Sequence, residues 1–168
     1  MDLGSGRGTL ALKVSKFFDK PLRIILLDLP LNLTTAYAYV KMNSDKKCYL
    51  LSKKNQLNFL TESNFKETHF VFVPTSLSED LAKNIKKIDL LFNHGSFSEM
   101  DYETIRFYLN LFAEGKSTNI YEINANKKIR SNHITDFIEV PSSSFEISQK
   151  YRLVSNGVSV TTDRYVQN

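Results

Sequence analysis

The sequence predicts an α/β protein with a mainly parallel sheet. Three observations predict it. Apolar runs bounded by turn residues alternate with stretches of helical period. Leu22 to Leu27 is a near-continuous apolar run closed by Asp28, as expected of a strand buried on both faces. The opening run Asp2-Leu3-Gly4-Ser5-Gly6-Arg7-Gly8 leads directly into a helical pattern. At 168 residues the chain is read as one domain over 1–168, long enough to bury roughly 70% of its unfolded surface.

Arg7 or Gly8 to Phe18 reads as a helix with Leu10, Val14, Phe17 and Phe18 on one face, ended by Lys20-Pro21. The strand closed by Asp28 follows. After Pro30, Asn32 is placed to cap a second helix to about Met42, with Leu33, Ala36, Tyr37 and Val40 inward. Cys48 to Leu51 fits a short strand or a helix equally well. Phe70 to Val73 is a strand stopped by Pro74, and Ser78 is placed to cap a short helix through Ile85. Ile88 to Phe92 is another buried strand, followed by the polar elbow Asn93-His94-Gly95-Ser96. Ser98-Glu99-Met100-Asp101 fits a capping box before a helix carrying Ile105, Tyr108, Leu109 and Phe112, which Gly115 ends. Asn119 to Ile123 is the next strand. Beyond it lie a polar loop over 124–132, a further element around Phe137 and a C-terminal antiparallel hairpin turning at Asn156-Gly157.

Composition excludes several classes. Hydrophobic residues make up 42% and charged residues 24% of the chain, the balance of a globular domain rather than a disordered or fibrous one. The net charge of +4 comes from dispersed lysines in short clusters, without an Arg-rich helix or aromatic-basic interleaving. A solvated lysine surface is therefore favoured over a nucleic-acid track. Cys48 is the single cysteine, so no internal disulfide or cysteine-based zinc site is expected, and a reducing, cytoplasmic setting is the natural reading. No apolar run approaches the ~20 residues of a membrane span. His69 and His133 have no carboxylates or histidines at ligand spacing, so no metal site is predicted.

The glycine-rich opening carries the chemistry. Glycines there let the backbone approach a bound nucleotide while helix N–H groups face it. The spacing is G-x-G-x-G, and Thr9 stands where a dinucleotide-binding G-x-G-x-x-G motif needs its third glycine, which argues against NAD. A second acid should close a strand some 20 residues later to accept hydrogen bonds from ribose hydroxyls. Asp28, 24 residues after Gly4, meets that requirement. The structural alternative is a glycine-rich turn with no ligand.

These residues resemble the first motif and second-strand acid of the class I S-adenosylmethionine (SAM) dependent methyltransferases. The resemblance implies a Rossmann-like sheet in a three-layer α/β/α arrangement and SAM as cofactor, with Asp2, Gly4, Gly6 and Gly8 lining it and Asp28 holding its sugar. Ser5, Leu29 and Asn93 complete the implied cofactor set, and Thr75 and Ser76 are placed near the adenine. Asp28-Leu29-Pro30 is similar to the D-L-P of several small-molecule O-methyltransferases. Asp89-Leu90-Leu91-Phe92-Asn93 followed by Ser96-Phe97 and Glu99-Met100 resembles a signature of sugar O-methyltransferases. The implied acceptor is a sugar or glycan hydroxyl, and the oligomeric state is left open.

In that family the glycine loop follows a central strand. Here Met1 directly precedes Asp2, so the sequence predicts that this first strand is missing, that the chain is N-terminally truncated, and that its cofactor loop is poorly anchored. His94 is the expected general base, by its similarity in place to the histidine of plant-type O-methyltransferases, with Glu99 the second candidate. A histidine that merely hydrogen-bonds in its turn, and a glutamate that merely caps a helix, are the structural alternatives. Asn124, Asn126 and the following lysines are placed at the rim of the acceptor site. The competing functions are a methyltransferase acting on RNA, DNA or another small molecule, and a non-catalytic remnant of the fold. Asn93-His94-Gly95-Ser96 departs from the N-P-P-Y or D-P-P-Y of many base-modifying enzymes.

Overall fold

A computed structural model describes residues 1–61, 66–124, 151–156 and 161–167. The chain divides into two compact units, Met1–Lys86 and Lys87–Asn168. The loop expected over 124–132, apart from its first residue, lies outside the described residues, as do Phe137, His133 and Gly157 of the expected turn.

In the first unit the strands are β1 (Asp2–Leu3), β2 (Arg23–Asp28), β3 (Lys47–Leu50) and β4 (His69–Pro74), in the order β3-β4-β2-β1. Every pair among them is parallel. The uncertain segment at Cys48 is thus a strand. The strand expected to be missing is present in short form, with Asp2 level with Leu26 and Leu3 with Leu27. Gly4 N extends the ladder by donating to Leu27 O at 2.8 Å. The glycine loop is therefore tied to β2, contrary to the poor anchoring expected of it.

The core of this unit is the β2 run Ile24 to Leu27 and the β4 run Phe70 to Val73, both buried throughout. Helix α2 (Pro30–Asn43) covers it with Leu33, Ala36 and Val40, spaced to fall on one face. Tyr37 meets Phe72 edge to face at 5.5 Å. The helix starts at Pro30, two residues before the expected cap, because proline suits the first helical position, where its missing N–H loses nothing.

Helix α1 (Thr9–Phe17) is rotated from expectation: Ala11 and Leu12 are buried, whereas Phe17 is 87% exposed and Phe18 47%. Gly8 accounts for this. A Cβ there would stand 3.1 Å from Leu26 Cδ2, 3.1 Å from Val40 Cγ2 and 3.4 Å from Ala36 Cβ. That close seat fixes the start of the helix, and the residues three and four positions on then face inward with it.

Gly8 also has φ +72, in the left-handed region that disfavours a side chain by ~1–2 kcal/mol. Overpacking adds ~1–3 kcal/mol. Gly8→Ala is therefore expected to lower unfolding free energy by about 2–5 kcal/mol in urea denaturation. Gly6→Ala, at φ +52 but with nothing within 4 Å, should lower it by only about 1–2 kcal/mol. Equal losses would contradict the packing argument.

Between β3 and β4 runs a 3-10 stretch, Lys54–Thr61; beyond β4 come a 3-10 turn, Thr75–Leu77, and helix α3 (Ser78–Asn84). Ser78 does not cap α3. Its hydroxyl donates back to Thr75 O at 2.6 Å.

The second unit has β5 (Leu91–His94), β6 (Asn119–Asn124), β7 (Tyr151–Asn156) and β8 (Thr161–Gln167), in the order β5-β6-β8-β7. β5 and β6 are parallel. β8 runs antiparallel to β7, as expected of the C-terminal strand pair, and also antiparallel to β6, so that pair continues the sheet at the edge of this unit. Strand β5 is shifted toward the C-terminus from the expected 88–92: Ile88 makes only an isolated parallel bridge to Ser117, while Asn93 and His94 are strand residues rather than an elbow. The shift follows from the partner strand, which supplies Glu122 and Ile123 opposite Asn93 and His94.

Helix α4 (Tyr102–Tyr108) continues into a π-type turn over Leu109–Ala113. Its N-cap is Asp101, whose carboxylate accepts from Thr104 N at 2.7 Å and Thr104 Oγ1 at 3.0 Å. The expected capping box at Ser98 is displaced by that arrangement, and Ser98 is buried instead. These hydrogen bonds hold the Asp101 carboxyl below its ordinary pKa.

Candidate functional site

The carboxyl ends of β1, β2 and β4 lie level at one edge of the first unit, with Asp28 opposite Pro74 and Gly4 one step past the last β1 pair. Parallel pairing makes this follow from sequence. Once Leu3 lies against Leu27, the residues that follow both strands emerge together.

From that edge the chain turns through Gly4, Gly6 and Gly8, at φ values of +72, +52 and +72. Gly8 N closes the turn on Ser5 O at 2.8 Å. The backbone N–H of Gly6 donates to Asp28 Oδ2 at 2.6 Å. Asp28 Oδ1 accepts from Leu29 N at 2.7 Å and from Asn32 Nδ2 at 2.8 Å. The glycine turn and the second-strand acid, 22 residues apart between Gly6 and Asp28, thus meet directly. Leu29 contributes its backbone N–H, while its side chain is exposed.

Two side chains of the turn are buried with unused polar atoms. Among the described residues, Asp2 Oδ2 and Ser5 Oγ make no hydrogen bond. Buried polar atoms are nearly always satisfied, and leaving one unpaired costs about 1–3 kcal/mol. Burial pushes the Asp2 carboxyl up to about 7; the terminal ammonium opposes the shift and the Asp28 carboxylate adds to it.

A folded-state pKa above the ordinary 3.8 means that the folded chain holds the Asp2 proton more tightly than the unfolded chain. The stability this brings is complete below about pH 4 and is lost as pH rises to about 7. About three pH units at 1.36 kcal/mol each set the loss at up to roughly 4 kcal/mol. In ligand-free protein, Asp2→Asn should remove this fall, so that its stability relative to wild type increases from pH 4 to pH 7. Chemical denaturation across that range checks it, and a difference independent of pH would contradict it.

The other expected residues are placed as follows. Thr75, partly buried, and Ser76, exposed, follow β4 at the same edge as Asp28. His69 starts β4 at the opposite end and lies 3.7 Å from the Glu67 carboxylate. In the second unit Asn93 is buried and shapes its own turn, donating from Nδ2 to Ser96 Oγ and accepting at Oδ1 from Phe97 N at 3.2 Å. His94 is exposed at the carboxyl end of β5. The turn after it is fixed by Gly95, at φ +81, whose N–H donates to Ile123 O at 2.7 Å. Glu99 is exposed in the 3-10 turn Phe97–Glu99. The side chain of Asn124, with Asn126 and the lysines after it, falls outside the described residues.

Two polar residues were not singled out for the site by sequence. Asn32, which by sequence suits a helix cap, instead binds Asp28. The signal was its spacing, four residues after Asp28 across a proline that starts a helix. Glu122 is buried in β6 level with Asn93, and nothing in its local sequence marks it.

Among the described residues no three His, Cys, Asp or Glu side chains gather to hold a metal ion. No helix among them is long and apolar enough to cross a membrane.

No protein-family model matches the chain, and no curated protein matches it. Solved structures do. One, described by the conversion of a disulfide bond into a thioacetal group during echinomycin biosynthesis, has a TM-score of 0.63 at 10% identity, covering 99% of this chain and 74% of that one. LepI in complex with SAM has a TM-score of 0.55 at 12% identity, covering 99% of this chain and 42% of that one. A protein described as a pericyclic reaction enzyme matches with the same values. At these identities the likeness is one of fold, and the chain spans less than half the length of the LepI chain.

Proposed function

We propose that the chain binds SAM at the glycine turn and belongs to an enzyme that transfers its methyl group to a sugar or glycan hydroxyl. The observation that carries the reading is the meeting of Gly6 N–H with Asp28 beside two buried, unused oxygens on Asp2 and Ser5. Those features fit the cofactor. The space over Gly6 is open, the turn presents backbone rather than side chains, and Asp2 and Ser5 offer polar atoms to an amino-acid group. Asp28 offers a carboxylate to a ribose hydroxyl. The fold likeness to LepI, which is described in complex with SAM, supports the same cofactor.

When bound, SAM would supply a methyl group made electrophilic by its sulfonium, the C–S bond breaking to leave the neutral thioether. The chain's own residues do the rest. Asp28 orients the ribose, while Asp2 and Ser5 hold the amino-acid end. The base assigned to the attacking hydroxyl, by the resemblance of its place after the strand, is His94, exposed at the end of β5; Glu99 is the second candidate for that proton. The sugar acceptor rests on the resemblance of Asp89–Asn93 and Ser96–Met100 to the sugar O-methyltransferase signature.

A second reading is SAM binding without methyl transfer, favoured by the fold likeness to a pericyclic reaction enzyme. Incubation with methyl-labelled SAM and separate panels of sugars, RNA and DNA distinguishes the readings. Label is expected on a sugar. Label on nucleic acid alone would overturn the acceptor class, and cofactor binding with no labelled product would favour the second reading.

A further inference from the structure

We infer that Asn32 is a positioning residue for the carboxylate that recognises the cofactor ribose. The inference rests on the reading of the site as a SAM pocket and adds a residue to it.

A carboxylate has about four lone-pair sites, two on each oxygen. In this chain Asp28 Oδ1 accepts from Leu29 N at 2.7 Å and from Asn32 Nδ2 at 2.8 Å, which fills both of its sites. Oδ2 accepts from Gly6 N at 2.6 Å, which fills one of its two. One acceptor site is left, on the oxygen that faces the glycine turn. Two of the three donors are backbone groups whose positions are set by the first residue after β2 and by the glycine turn. Asn32 is the side-chain donor, held on the first turn of α2 by the helix that Pro30 begins.

Asn32 is the side-chain member of this set, and together with Leu29 N it keeps Oδ1 turned toward α2 while Gly6 N holds Oδ2. The free acceptor site on Oδ2 is thereby presented to a ribose hydroxyl beside the Gly6 N–H. Asn32 is exposed, so its side chain contributes little to the core, and its truncation leaves the fold in place.

Isothermal titration of the whole chain with S-adenosylhomocysteine, and with its 2′,3′-dideoxy analogue, tests this. For wild type, loss of the hydroxyls should weaken binding by about tenfold, the weight of one hydrogen bond to a charged group. Asn32→Ala should weaken S-adenosylhomocysteine binding by about fivefold and reduce the penalty for the dideoxy analogue. In an Asp28→Ala background, Asn32→Ala should have no further effect on affinity. Asn32→Asp, which places a second carboxylate against Asp28, should weaken binding more than Asn32→Ala.

A role confined to stability would lower the melting temperature while leaving the dideoxy penalty at its wild-type value. That result, or additive losses in the double variant, overturns the inference while the SAM reading stands. Wild-type protein that binds neither compound overturns both.

Discussion

Asp28→Ala is expected to weaken S-adenosylhomocysteine binding by about 100-fold or more. Two losses combine. The variant removes the acceptor proposed for a ribose hydroxyl, and it releases the Gly6 N–H that Asp28 Oδ2 holds at 2.6 Å, so the glycine turn is no longer fixed in the form proposed to receive the ligand. Hydrogen bonds to a charged group are worth about 1.5–3 kcal/mol each. Two such bonds at the low end give about 3 kcal/mol, or roughly 100-fold in affinity. Asp28→Asn keeps an acceptor oxygen but loses the charge, and should fall between wild type and alanine. Titration calorimetry, with thermal melting to confirm the fold, measures both. An alanine variant within threefold of wild type would remove Asp28 from the site.

His94→Ala should lower the rate of methyl transfer by 10²- to 10⁴-fold, the usual contribution of a general base, while changing S-adenosylhomocysteine affinity little. The side chain is exposed at the end of β5, and exposed substitutions away from caps and networks usually alter stability by less than about 0.5 kcal/mol. A rate loss in a folded, cofactor-binding variant would therefore report chemistry rather than collapse. A loss below about tenfold would pass the role to another group, with Glu99 the next to replace.

The parts of the fold legible in sequence were those with a dense local signal. The runs Leu22 to Leu27 and Phe70 to Val73 announce strands because burial on both faces leaves few polar positions. The approach of Asp28 to the glycine turn was legible because parallel pairing turns a sequence spacing into a spatial coincidence. Strand β1 was not legible, since two residues carry no period. The rotation of α1 depends on how closely Gly8 seats against Leu26, Ala36 and Val40, a tertiary contact no helical wheel contains.

The misplacements in the second unit have a common cause. Ser98 and Asp101 both satisfy the composition of a helix start, and only geometry shows that Asp101 holds Thr104 N. Asn93 and His94 read as a turn because they are polar, yet pairing with Glu122 and Ile123 extends the strand through them. In the first unit, Asn32 was read as a cap for the same compositional reason, although its amide is used by Asp28. Polar residues at element ends have several acceptors within reach, and sequence does not choose among them.

On the proposed reading, the turn through Gly4, Gly6 and Gly8 and the Asp28 carboxylate form one receptor for an adenosyl ligand. Titration of the intact chain with S-adenosylhomocysteine tests it most directly. Saturable binding at one site per chain, with a dissociation constant of roughly micromolar order, is the predicted result. Absence of saturable binding up to millimolar ligand by folded protein would contradict it.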